Sequence, residues 1–117
     1  MVAATLAALI AALHIYILWL EMFRWTHPRT RAAFGIDAGL AERTRVMAAN
    51  QGLYNGFLAA GLIWGLWQGQ GGRDVVAFFL ICVGLAGLYG AATVSRRILY
   101  VQAIPALIAL AALVAGI

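Results

Sequence analysis

Read for polarity alone, the chain is four apolar stretches separated by three polar links. The stretches run over roughly 2–23, 46–68, 75–94 and 98–117, each near the ~20 residues that a spanning helix needs. The pattern predicts an all-α fold: an integral membrane four-helix bundle forming a single domain. Helices are expected over about 2–23, 38–68, 74–95 and 98–117. Trp25 suits the interfacial belt, and Pro28 stops the first helix. Asp37 caps the second, and Glu42 and Arg45, at i and i+3, decorate its start. A helix over 38–68 would be ~46 Å long against a ~30 Å hydrocarbon core, so its first turns are read as a cytoplasmic extension. Asp74 is the expected cap of the third helix, and Arg96 and Arg97 suit its C-terminal dipole end. Pro105 bends the fourth and frees the carbonyl of Val101.

The stretch 47–65, MAANQGLYNGFLAAGLIWG, organises this pattern. It is apolar enough to cross a bilayer, yet it carries Asn50, Gln51, Tyr54 and Asn55. It also holds two small-residue ladders, Gly52/Gly56/Ala60 and Gly61/Gly65. At ~100° per residue, Gly52 and Gly61 lie about 180° apart. A helix with close-approach surfaces on opposite sides expects neighbours on both. Gly84, Gly87 and Gly90 give the third stretch a seam of its own.

Composition strengthens the membrane reading. The chain of 117 residues is 65% hydrophobic and 10% charged, and its mean hydropathy is +0.94. That leaves too little polar surface to cover a water-soluble globule, against the ~45–50% apolar usage of a soluble domain. The net charge of +4 comes from eight Arg and no Lys. Seven of these Arg lie in the first and third links, which share a side if there are four crossings, and one lies in the second. The positive-inside bias places the arginine-bearing links in the cytoplasm and both termini outside, in a multi-pass protein of the bacterial inner membrane. Nucleic acid is rejected as a partner, because the Arg sit between apolar segments. Cys82 stands alone in an apolar run and reads as a small buried hydrophobe. The first stretch has no positive n-region and continues past Ala12, so it is expected to be a retained helix rather than a cleaved signal.

Placing the polar groups by depth gathers candidates for chemistry. His14 is deepest in the first stretch, with Glu21 seven residues on, on the same face to within ~20° but ~10 Å away along the axis. Asn50, Gln51, Tyr54 and Asn55 lie at comparable depth on the second helix, Tyr89 on the third, and Gln102 on the proline-bent fourth. Together they suggest a polar ligand- or proton-binding pocket open to the cytoplasm, with Glu21 as its carboxylate. Structural alternatives stand beside each. Glu21 snorkels to the interface or pairs with Arg24 or Arg45, the amides act as helix–helix glue, and His14 packs across helices. No His/Cys/Asp/Glu group has metal spacing, and neither a metal nor another cofactor is expected.

The segments LEMFRW at 20–25, FG at 34–35, AANQGLYNGFLAAGL at 48–62, GLYGAATV at 87–94 and QAIPA at 102–106 closely resemble a family of small bacterial membrane proteins. That family is catalogued as domain of unknown function 1304. The resemblance spans nearly the whole chain, and NQGLYNGF is its most specific part. It implies four helices in an inner membrane and no assigned activity. Its motif residues fall on Glu21, Asn50, Gln51, Tyr54, Asn55, Gln102 and Pro105.

Three functions compete on these grounds. The first is binding or transport of a small hydrophobic or cationic molecule, or of a lipid, in the polar pocket. The second is a membrane enzyme of isomerase type, with Glu21 and His14 as acid and base; it ranks lower because nothing identifies a nucleophile or substrate. The third is an accessory subunit whose glycine faces dock partner helices or a second copy of the chain. Membrane lipids are partners under all three.

Overall fold

The computed structural model describes the whole chain, Met1–Ile117. It is all-α, with α1 at Val2–Phe23, α2 at Pro28–Phe34, α3 at Ala38–Arg43, α4 at Arg45–Trp67, α5 at Arg73–Thr93 and α6 at Ile104–Ala115. A 3-10 turn, Gly69–Gly72, leads into α5, and a π-helical segment, Leu99–Ala103, leads into α6. Two helical stretches, Val2–Phe23 and Gly69–Thr93, are long and apolar enough to cross a membrane. The amides and tyrosine near the start of α4 lower its hydropathy, although at 23 residues it has the length.

Packing divides the chain into two compact units, one formed by Met1–Ala12 with Leu58–Ile117, the other by Leu13–Phe57. The core of the first draws Ala7, Ile10 and Ala11 from α1, Ala59 and Leu62 from α4, Val76, Leu80 and Val83 from α5, and Ala106 and Ala109 from α6. Small residues set the approach of these segments. A Cβ at Gly61 would run into the Phe79 ring, and one at Gly65 would lie 2.7 Å from Val76 Cγ2. At Gly87 it would sit 2.7 Å from the Ala103 nitrogen, so here backbone meets backbone.

The second unit contains the arginine-rich link. Pro28 does not merely end α1: it opens α2, where a proline at the first position wastes no hydrogen bond. His27 caps this helix, its Nδ1 accepting from the Arg29 N–H at 3.2 Å, and Gly35 closes it at φ 68°. Asp37 caps α3 as expected, accepting from the Leu40 N–H at 2.7 Å. The helix expected over 38–68 is interrupted at Thr44, whose φ is −107° and ψ 7°. The Thr44 hydroxyl donates to the Leu40 carbonyl at 2.7 Å and accepts from the Trp25 indole at 3.0 Å, which holds the break in place. Trp25 also meets Phe34 edge-on, with ring centroids 4.9 Å apart.

Two further expectations shift. Asp74 makes no capping bond and lies inside the first turn of α5, where its charge still suits the dipole. The proline bend in the last stretch takes the form of the π-helical segment. Its closing Ile104 N–H reaches back five residues to the Leu99 carbonyl, immediately before Pro105, which has no N–H to give.

Candidate functional site

The site grows from the Gly52/Gly56 ladder. A Cβ on Gly52 would lie 2.7 Å from Met22 Cγ, 3.0 Å from Glu21 Cβ and 3.2 Å from the Leu18 carbonyl. One on Gly56 would lie 2.5 Å from Leu18 Cδ1. The bare glycine surface thus lets α4 close onto α1 at Glu21, and the next polar side chain along α4 meets the carboxylate. The Asn55 amide donates from Nδ2 to Glu21 Oε1 at 2.7 Å, and also to the Gln51 carbonyl at 3.1 Å. Glu21 is 7% exposed.

Five arginines belong to the same unit, and those nearest in sequence turn elsewhere. Arg24 lies over the Trp19 ring, 5.2 Å from its centroid. Arg45 approaches Glu42 at 3.6 Å, and Arg31 donates to the Thr26 carbonyl at 3.2 Å. The buried carboxylate is therefore held by a neutral amide, which orients it without cancelling its charge. Chemically, such a group can bind a cation or carry a proton.

The other candidate residues scatter. His14 is fully buried within α1 and makes interactions of its own. The Asn50 amide folds back to donate to the Val46 carbonyl at 2.9 Å, and both Asn50 and Gln51 are exposed. Tyr54 is exposed beside Phe57, with ring centroids 6.1 Å apart. In the other unit, Tyr89 is exposed, while Gln102 donates to the Val83 carbonyl at 3.1 Å and so ties the π-helical segment to α5. The structure brings Glu21 and Asn55 together, with Gln51 contributing its carbonyl.

The first unit holds a partly open cavity of about 390 Å³, and none of the eight candidate residues lines it. Its one charged side chain is Arg73, which donates through Nη2 to the Leu113 carbonyl at 2.6 Å. Sequence reasoning had used Arg73 only as a charge in the second link. The available signal was a lone Arg in a glycine-rich turn at the end of an apolar stretch.

These features define a small all-α protein with two helices apolar enough to cross a membrane and a buried carboxylate in the first. The chain belongs to the family described as Protein of unknown function (DUF1304), whose model matches residues 8–114. It is 33% identical over 107 residues to "Uncharacterized protein YpaA" of Lactococcus lactis subsp. lactis (strain IL1403), which covers 90% of each chain. No solved structure matches. The family expected from the NQGLYNGF block is thus the one found, and the match includes Glu21, Asn55 and Arg73.

Proposed function

We infer that the protein is a four-helix, multi-pass component of the bacterial cytoplasmic membrane that binds, and in that way moves or senses, a small hydrophobic cation at Glu21. The observation that carries this reading is the buried Glu21 carboxylate held by Asn55, in a unit where Arg24, Arg31 and Arg45 engage other groups. Carboxylates inside apolar segments are costly, and one that is not neutralised within the protein is best explained by a ligand or proton that neutralises it.

The membrane setting is supported by composition and by the two candidate spans. The arginine distribution orients both ends outside. A cysteine placed at exposed Ala38, in a Cys82→Ala background, is expected to react with an impermeant maleimide only after the membrane is opened. Reaction in intact cells would overturn this orientation.

The binding claim is tested by native mass spectrometry of protein released from mild detergent, with lipid and metabolite extracts added back. Glu21→Gln keeps an oxygen that can accept from Asn55 and removes only the charge. A defined bound mass present on the wild type and lost from Glu21→Gln is expected. The same mass on both proteins would sink the reading.

A further inference from the structure

The cavity of the first unit is far from featureless. Its walls are small where they need to be: Ala3 and Ala4 on α1, and Gly69 and Gly116 at turns. A Cβ at Gly69 or Gly116 would meet nothing within 4 Å, and both glycines sit at positive φ, 63° and 78°, where larger residues are strained. Both turns therefore border open space, and their positive φ favours glycine there.

One charged side chain, that of Arg73, lines the cavity. Its Nη2 is fixed by the Leu113 carbonyl at 2.6 Å and more weakly by the Val114 carbonyl at 3.4 Å. Those carbonyls belong to the last turn of α6, so Arg73 joins the start of α5 to the end of α6. A guanidinium has five N–H donors in a planar fork. With Nη2 anchored, the Nε and Nη1 edge makes no bond to the protein. The Met1 ammonium nearby donates to the Ile117 main-chain oxygen. No acidic side chain lines the cavity, Gln70 adds an amide, and Leu66, Val76 and Leu113 supply apolar wall.

We propose that this cavity is a binding site for the phosphodiester group of an anionic membrane phospholipid, with Arg73 as its cationic ligand. The phosphate takes the free edge of the guanidinium, the geometry for which Arg is suited. Gln70 donates to a remaining oxygen, and the first methylenes of the lipid lie on the apolar wall. A volume of about 390 Å³ accommodates a headgroup and its glycerol, while the acyl chains leave through the open side. The site shares with the Glu21 reading only the membrane setting. It lies in the other unit and needs no cation bound at Glu21, so either claim can fail while the other stands.

The test uses the full-length protein and native mass spectrometry, with phosphatidylglycerol and phosphatidylcholine titrated separately. Wild type is expected to retain one phosphatidylglycerol and to discriminate against phosphatidylcholine. Arg73→Gln is expected to weaken that binding about 10-fold or more, as loss of a charge-assisted pair should. Because Arg73 also anchors α6, a second variant, Ala4→Leu, fills the cavity and leaves the guanidinium in place. It should lose the lipid to a similar degree. Equal retention of the two lipids by wild type would overturn the proposal. So would undiminished phosphatidylglycerol binding in both variants. Displacement of the lipid by millimolar inorganic phosphate would identify a free-phosphate site instead, and would overturn the lipid assignment.

Discussion

At the scale of single residues, the chemistry rests on how little holds Glu21: one amide, from Asn55. Depth along the sequence was enough to select both. What depth cannot give is the face. With Gly52 and Gly56 turned toward α1, Asn55 lies ~80° from the centre of that seam, Gln51 ~120°, Asn50 ~140° and Tyr54 ~180°. Burial agrees in setting Asn55, half-buried, apart from the other three, which are exposed. The angles were available in the sequence, but which glycine ladder faces α1 became clear only from the packing. His27 offers a separate residue-scale prediction. Desolvation, and then the positive charges of Arg24, Arg29 and Arg31, hold its pKa below the usual 6.5. Its Nδ1 must be unprotonated to accept from the Arg29 N–H. A lowered folded-state pKa means that the unfolded form takes up the proton first as pH falls. The contribution of this cap is thus complete above about 6.5 and is lost as pH drops through the lower folded value. Amide exchange at Arg29 is expected to accelerate as pH is lowered from 7 to 5, after correction for intrinsic rates, and His27→Asn should flatten that dependence. An equal acceleration in His27→Asn would remove His27 from the account.

At the scale of elements, glycine contacts make graded predictions. Gly52→Ala drives a methyl against Glu21 Cβ and the Leu18 carbonyl as well as Met22, groups fixed to the backbone of α1. It should destabilise by about 1–3 kcal/mol, the range for overpacking. Gly56→Ala meets only the tip of Leu18, which can rotate away, and the better helix propensity of Ala offsets part of the strain. Thermal melts in one detergent should rank Gly52→Ala well below Gly56→Ala, and equal melting temperatures would contradict the seam described. The long helices were legible because their apolar runs are uninterrupted. The short ones were not. Pro28 and Gly35 mark the start and end of α2 by ordinary rules, but a proline just after a spanning stretch reads first as a stop. The break at Thr44 depends on a hydrogen bond from Trp25, 19 residues away, which no local pattern encodes. Pro105 signalled a distortion in the last stretch. That it becomes a π-helical segment, anchored by Gln102 on Val83, depends on the close approach at Gly87.

At the scale of the whole molecule, two kinds of polar feature sit in an otherwise apolar chain. One is a carboxylate held by an amide in the unit Leu13–Phe57; the other is an arginine at a cavity in the unit of Met1–Ala12 and Leu58–Ile117. The two helical stretches long and apolar enough to cross a membrane were legible as uninterrupted apolar runs in a chain that is 65% hydrophobic. The cavity was not legible, since its lining comes from both ends of the chain and from the turn before α5, segments that only the fold brings together. The central claim is that Glu21 binds a cation supplied from outside the protein. It is tested most directly by titrating tetraphenylphosphonium, a lipophilic monovalent cation, into wild type and Glu21→Gln in bilayer discs of uncharged lipid. Saturable binding at one site per chain in wild type, reduced at least about 10-fold in Glu21→Gln while both melt alike, is the predicted result. Identical isotherms for the two proteins, or no saturable binding to wild type, would contradict it.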